Sequence, residues 1–442
     1  MKEKTKETTL LKEFIQYVVL NVCGMIGLSC YILADTFFVS KGLGANGLTA
    51  LNLAIPIYSF VHGSGLMLGM GGATKYSIYR GQKREKSANK VFSNTIYSMV
   101  MLAVIFVLIG IFFSGNLTRL LGADEAVFAM TKTYLKVILL FAPAFMANDT
   151  LLCFVRNDGN PTLAMTAMLT GSFSNIILDY IFIFPLDMGI FGAVFATGLA
   201  PVISLLVLSR HWIKKQNQFH FEKVKPSFDL IASLFSLGVP SLITEVASGV
   251  VMIVFNSIIL RLQGNIGVAA YGVIANLSLV VTSIYTGIAQ GTQPILSRSY
   301  GYGDRKSLTQ ILKYAVETML VISCIIYVIF FLAADPIAAV FNSENNAELQ
   351  KIAVIGLKLY FIAIPFVGFN IILSSYFTSI EKAMPAQIIS LSRGFIVIIP
   401  MAFLLSLLLK MTGVWISYPA AEGLVSLMGI ILYIRLQTWR KE

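Results

Sequence analysis

Long apolar runs alternate with short polar breaks along the whole chain. Each run approaches the ~20 residues that cross a bilayer as a helix. The pattern predicts helices over 14–38, 47–76, 91–114, 127–153, 161–184, 190–212, 233–260, 268–298, 311–333, 352–378, 386–409 and 412–436. These are labelled α1 to α12 in that order. α2 and α8 are longer than a simple span, which predicts tilt or protrusion from the bilayer. The fold class is an all-α polytopic membrane protein with twelve transmembrane helices.

The pattern also repeats. "GLTALNLAIPIYSFVHGSGLMLGMGGATKYSIYRG" (47–81) aligns without a gap to "GVAAYGVIANLSLVVTSIYTGIAQGTQPILSRSYG" (267–301) at an offset of 220. Further on, "YLKVILLFAP" (134–143) matches "GLKLYFIAIP" (356–365). The longest polar connection, "KKQNQFHFEKVKPSFD", divides two six-helix halves: residues 1–213, a linker over 214–229, and residues 230–442. Six crossings return the chain to its starting side, so the halves share one orientation. Parallel repeats of this kind are a feature of secondary transporters, with the ligand path between the halves.

Composition supports this reading. The 442 residues are 57% hydrophobic and 12% charged, against about 25% charged in soluble domains, and the mean hydropathy is +0.79. The formal charge of +11 does not indicate nucleic acid, because the basic residues fall in alternate connections. They cluster at the N-terminus (Lys2, Lys4, Lys6, Lys12), between α2 and α3 (Arg80, Lys83, Arg84, Lys86, Lys90), in the linker, between α8 and α9 (Arg298, Arg305, Lys306, Lys313) and at the C-terminus (Arg435, Arg440, Lys441). An excess of Lys and Arg marks the cytoplasmic side, so both termini are expected there. "MKEKTKETTLLKE" leads directly into a full-length span, and no cleavable signal peptide is expected. Cys23, Cys30, Cys153 and Cys324 form no CxxC pair and suggest neither a redox motif nor a zinc site.

Ionisable groups inside the spans are functional candidates by default. Asp35 lies ~8 Å from the outer end of α1, Asp179 ~9 Å from that of α5, and Thr197 ~10 Å into α6. Asn175 stands one turn below Asp179 on the same face. Asp35, Asn175, Asp179 and Thr197 thus offer hard oxygen groups at one depth. They suit Na⁺, or a proton, since burial favours the neutral form of a carboxylate; capping near the outer loops is the alternative. A second set, Glu245, Asn370, Arg393 and Glu422, is a possible polar site in the second half, with Arg393 neutralising one of the two glutamates. Asp149 is expected to pair with Arg156, His62 to be a packing histidine, and Lys75 to snorkel. Candidates for lining a substrate cavity are Tyr58, Met67, Met70, Asn148, Asn276, Tyr285, Gln290 and Gln293, whose aromatic faces and thioethers suit large flat cations. No GxxxxGK segment occurs, which argues against an ATP-driven pump. No Ser/His/Asp set or HExxH segment points to an enzyme.

The segments "ADTFFV" (34–39), "NIILDYIFIF" (175–184) and "GAVFATGLA" (192–200), set in two parallel six-helix halves, resemble the MATE (multidrug and toxic compound extrusion) family over essentially the whole chain, with bacterial MepA-like members the nearest in kind. The resemblance implies a V-shaped molecule with an N-lobe (α1–α6) and a C-lobe (α7–α12). It implies antiport of organic cations or other amphipathic drugs against H⁺ or Na⁺. It also places the family's N-lobe cation site on Asp35, Asn175, Asp179 and Thr197, and it helps to single out Thr197 among nearby polar residues of α6. Two departures stand out. Many members have a proline in the first half of α1, where this chain reads "VVLNVCGMIG" with Asn21 near that place. Some have an Asp on α10 partnering a Glu on α7; here Glu245 is present but α10 offers Asn370.

The expectation is a monomeric, ion-coupled antiporter of the bacterial cytoplasmic membrane that contacts lipid and drug, with no cofactor beyond its coupling ion and no nucleic-acid partner. H⁺ is favoured over Na⁺ because no second-lobe Na⁺ site is complete. The alternative is a lipid-linked precursor flippase of the same superfamily, which typically needs a strongly cationic cavity.

Overall fold

The computed structural model describes residues 2–342 and 346–438, with helices throughout and no strand among them. Arg440 and Lys441, counted above in the basic C-terminus, lie outside the described residues. Twelve crossings are present among the described residues. α1 and α2 are the two arms of the helix Lys2–Gly81, broken at Gly44 (φ 65°, ψ −158°). α7 and α8 are the two arms of Phe228–Gly301, broken at Gly264 (φ 62°, ψ −155°). A side chain would be strained at either break, and glycine is the residue that takes it without cost. The two breaks stand at the repeat's own offset, so the duplication extends to backbone angles.

α3 is Glu85–Leu120, α5 Pro161–Ile183, α6 Gly189–Leu208 and α9 Arg305–Leu332. α4 consists of Phe128–Leu140 and Ala142–Asn157, bent by 48°. α10 consists of Ala347–Tyr360 and Ile364–Ser379, joined by a 3-10 turn at Phe361–Ala363. Both interruptions fall just before a proline, Pro143 and Pro365, whose ring and missing N–H break the helical ladder; these are the aligned prolines of the second repeat segment. α11 starts at Ala383, passes through a π turn at Ser392–Ile396 and runs into Ile398–Thr438, which contains the end of α11 and all of α12 across a break at Lys410. Several helices exceed their apolar spans. Hydropathy marks the hydrocarbon crossing, whereas a helix continues until a glycine or turn stops it.

The polar linker is strapped to the N-lobe. Phe219 is fully buried and packs on Phe92 (4.6 Å between centroids), Phe154 and Tyr76. Asp158, at the end of α4, accepts from Tyr76 Oη (2.5 Å) and the Gln218 backbone N–H (2.8 Å) and contacts His211 Nε2 (2.8 Å). The backbone N–H groups of His220, Glu222 and Ser227 donate to side chains of α3. This half of the linker could not be recognised from composition, because its anchors are one aromatic and a set of backbone donors.

The two halves meet along α1, α2, α7 and α8, and mainly at the end of the bundle that carries the N-terminus and the α2–α3 loop, termed here the basic end. A Cβ on Gly238 (α7) would lie 1.8 Å from the Met67 carbonyl oxygen (α2), and one on Gly71 (α2) 2.1 Å from that of Leu234 (α7). Ser29 Oγ donates to Ser283 Oγ at 2.6 Å. Lys75, expected to snorkel, instead pairs with Glu381 across the lobes at 2.5 Å. Phe14, Tyr17 and Val18, at the basic end of α1, belong to the C-lobe's apolar core.

Phe219→Ala removes an aromatic anchor from a closed cluster. It is expected to lower stability by about 3–5 kcal/mol, read as a depressed unfolding midpoint of the detergent-solubilised protein; an unchanged midpoint would show that the strap contributes nothing.

Candidate functional site

Near the end opposite the basic one, α1, α4, α5 and α6 converge on a buried polar cluster. Asn175 and Asp179 are one helical turn apart on α5 and both fully buried; Asp35 (α1) is 7% exposed and Thr197 (α6) 4%. The carboxyl groups of Asp35 and Asp179 come within hydrogen-bonding reach of each other. With its amide oriented to suit both neighbours, Asn175 donates to Asp179 Oδ2 at 3.0 Å and accepts from the Thr197 backbone N–H at 3.2 Å. The Thr197 hydroxyl donates to the Ala193 carbonyl at 3.1 Å, with the Tyr134 hydroxyl nearby. Oδ1 of each aspartate is buried with no hydrogen-bond partner. All four predicted residues are therefore brought together. Tyr134 (α4) is a fifth member absent from the sequence reading, since a tyrosine in an amphipathic helix carries no local signal of a buried polar role.

Two glycines of α1 face side chains of α5. A Cβ on Gly27 would lie 2.5 Å from Leu169, and one on Gly24 3.0 Å from Met168. A larger residue at either position would require the Leu169 or Met168 side chain to repack.

The fit to a sodium ion can be judged from the donors. A hard cation takes several oxygen ligands, about six for Ca²⁺ or Mg²⁺. Here the Asn175 oxygen accepts from Thr197 N and the Thr197 hydroxyl is engaged, which leaves two carboxylates. Among the described residues no group of three or more His, Cys, Asp or Glu is placed to hold a metal ion. Two buried carboxylates this close fit a shared proton better, because like charges in an apolar setting cannot both ionise without a large cost.

The second predicted set is divided. Arg393, within the π turn of α11, donates to Glu422 Oε1 from Nε (3.2 Å) and Nη2 (3.0 Å). Asn370 donates to Glu422 Oε2 at 2.7 Å, and Ser426 donates to Asn370 Oδ1 at 3.1 Å. Glu422 is thus neutralised and hydrogen-bonded, as a structural buried pair must be. Glu245 stands apart from the other three, against α2: a Cβ on Gly63 would lie 3.1 Å from its own Cβ. Next to it on α2, His62 Nδ1 lies 2.8 Å from Asp149 Oδ2, and the Tyr58 ring stacks on His62 with planes 5° apart. Asp149 was expected to pair with Arg156. It pairs with His62 instead; Arg156 lies two helical turns, ~10 Å, further along α4 and reaches into the seam between the lobes.

The eight cavity candidates are scattered. Tyr58 bonds Tyr31 (2.8 Å), and fully buried Tyr285 bonds Ser323 (2.6 Å). Gln290 accepts from Arg156, and Gln293 bonds Thr74 and Asn157. Met67 and Met70 are buried at the seam, Asn148 is half-buried and Asn276 is exposed. A groove of about 790 Å³ lies elsewhere, an apolar furrow in the C-lobe lined by Met319, Phe366, Met401 and Leu427 among others.

Replacing Arg393 by Met strands a buried carboxylate and is expected to destabilise by about 3–5 kcal/mol, whereas the double change R393M/E422L recovers most of that loss. Unfolding midpoints of the three proteins check this; a neutral R393M would contradict a structural pair.

Comparison with known proteins follows the same architecture. The family model MatE matches residues 22–181 and 240–404. Multidrug export protein MepA of Staphylococcus saprophyticus subsp. saprophyticus is 26% identical over 434 residues, covering 98% of this chain and 95% of that protein. The protein of the same name from Staphylococcus aureus (strain MRSA252) is 24% identical with the same coverage. A structure described as the outward-facing conformation of a multidrug resistance MATE family transporter of the MOP superfamily superposes with a TM-score of 0.91 at 23% identity, over 98% of this chain and 97% of that one. A MATE structure in the straight conformation matches equally well, at 0.91 and 23%.

Proposed function

The chain belongs to the MatE family of multidrug export transporters, a multi-pass membrane protein in two six-helix lobes, and from that premise we propose that it is a proton-coupled antiporter exporting amphipathic organic cations. The observation that carries the proposal is the Asp35–Asp179 pair, buried and within reach of one proton while the neighbouring amide and hydroxyl are committed elsewhere. The basic end faces the cytoplasm, by the excess of Lys and Arg there, in a bacterial plasma membrane.

The lobes are packed together at the basic end, so the cleft between them opens at the other. In that state a proton from outside reaches the aspartates and removes their repulsion, which draws α1 against α5 across Gly24 and Gly27. Drug leaves the cleft as that arrangement gains population. The lobes then rock about their seam, the proton is lost to the cytoplasm, and drug binds again. The ion acts only through its different affinity for the two states.

A Na⁺-coupled reading uses the same residues and needs Asn175 and Thr197 to turn toward the ion. A lipid-linked precursor flippase is not favoured: the deep cations Arg393 and Arg156 are engaged by protein groups rather than lining an open cavity.

Asp35→Asn is expected to reduce active ethidium efflux at least tenfold while the protein remains inserted and monodisperse. In proteoliposomes, an imposed H⁺ gradient should drive efflux and an imposed Na⁺ gradient should not. Transport driven by Na⁺ alone would reverse the choice of ion, and wild-type efflux by Asp35→Asn would remove the site assignment.

A further inference from the structure

Arg156 is 1% exposed, yet among the described residues no Asp or Glu pairs with it. Its Nη1 donates to two amide oxygens, Asn21 Oδ1 on α1 at 2.6 Å and Gln290 Oε1 on α8 at 2.8 Å. Its Nη2 contacts Cys153 Sγ at 3.5 Å and Met70 S at 3.9 Å, and its Nε is buried without a partner. Asn21 is itself held, donating to the Tyr17 carbonyl at 2.7 Å. The next residue, Asn157, repeats the bridge: it donates to Gln293 of α8 at 2.9 Å while accepting from Ser77 of α2 at 2.7 Å.

Two features set this arginine apart. Met70 and Gln290 are equivalent positions of the repeat, at the offset of 220. A single side chain that touches both mates of a pseudo-symmetric pair lies close to the axis relating the lobes. Arg156 is also a poorly compensated charge, met by neutral dipoles, which is costly in a buried setting. A guanidinium is too weak an acid to shed its proton in response. Its position is at the seam, beneath the cleft, where a solute crossing between the lobes would have to pass.

We propose that Arg156 is the gate charge of the closed cytoplasmic end: bridged to the C-lobe through Gln290, it latches the seam and sets a positive barrier on the lobe axis against passage of cations. A fixed cation in a narrow path excludes other cations by the same electrostatics that bars them from selective pores. Opening toward the cytoplasm breaks the Gln290 and Gln293 bonds. It also returns the arginine to water, so the charge weakens the closed state while the bridges hold it, and the seam is left poised between the two. This inference rests on the proposed orientation and on cations as cargo.

Cys153, buried at 1% exposure beside the guanidinium, is a native reporter. In full-length protein with Cys23, Cys30 and Cys324 changed to Ser, Gln290→Leu deletes the cross-lobe acceptor and is expected to speed labelling of Cys153 by a charged thiosulfonate at least about tenfold. In proteoliposomes without an ion gradient, Arg156→Gln is expected to raise the passive leak of tetraphenylphosphonium several-fold, and Arg156→Lys, which keeps the charge, to hold it near the wild-type level. Unchanged labelling in Gln290→Leu overturns the latch. A leak in Arg156→Lys as large as in Arg156→Gln overturns the charge barrier and leaves a packing role. The labelling arm involves neither cargo nor ion, so it decides the latch even where the export reading fails. It also needs no substitution of the arginine, should Arg156→Gln not fold.

Discussion

The molecule is organised by how closely two helical bundles can approach at one end. The Met67 carbonyl lies where a Cβ of Gly238 would be, and the Leu234 carbonyl where a Cβ of Gly71 would be. Apolar attraction between helices is weak in lipid, so close backbone packing and inter-helical polar bonds must hold such a seam. Here both are concentrated at the basic end, with Ser29–Ser283, Lys75–Glu381 and the Arg156 and Asn157 bridges added to the glycines. These contacts fasten the two lobes to each other at that end.

Charge inside this scaffold is handled in two ways. Glu422 with Arg393 and Asn370, and Asp158 with Tyr76 and His211, are fully partnered and fasten helices to one another. Asp35 with Asp179, and Arg156, are buried without an opposite charge. The first kind is stable in one arrangement. The second is costly to bury, because no opposite charge offsets its desolvation. The two uncompensated groups sit at different places in the fold, the carboxylate pair within the N-lobe and the arginine at the seam between the lobes.

Much of this was readable from the residues. The twelve crossings follow from hydropathy, and the duplication from a gapless alignment that turns out to share its glycine breaks and its prolines. Asp35, Asn175 and Asp179 were legible because depth along a membrane helix is a count of residues and helical spacing puts Asn175 under Asp179, whereas Thr197 was singled out among its polar neighbours with the help of the family resemblance. Pairings between distant helices were not. Nothing local to Asp149 says that His62 reaches it before Arg156 does, or that Glu245 turns away from Arg393. The same holds for Tyr134, whose hydroxyl matters only because α4, bent before Pro143, leans toward Thr197. The linker's hold on the N-lobe was hidden for a related reason: it rests on backbone donors, and these have no sequence signature.

The repeat makes the division of labour between lobes visible. At the offset shared by Gly44 and Gly264, the counterpart of Asp35 is Phe255, which is fully buried and packs against Tyr271 and Tyr360. An aromatic residue there gives the C-lobe a continuous core where the N-lobe carries a carboxylate in reach of a second one. Met70 and Gln290 diverge in the same sense, one offering a thioether and the other a carbonyl to the same guanidinium. A symmetric pair of lobes would present equal ion sites and an empty axis. A ring at the counterpart of one aspartate and one arginine near the axis make the two lobes chemically unlike: the N-lobe carries a buried carboxylate pair where the C-lobe is filled by aromatic packing.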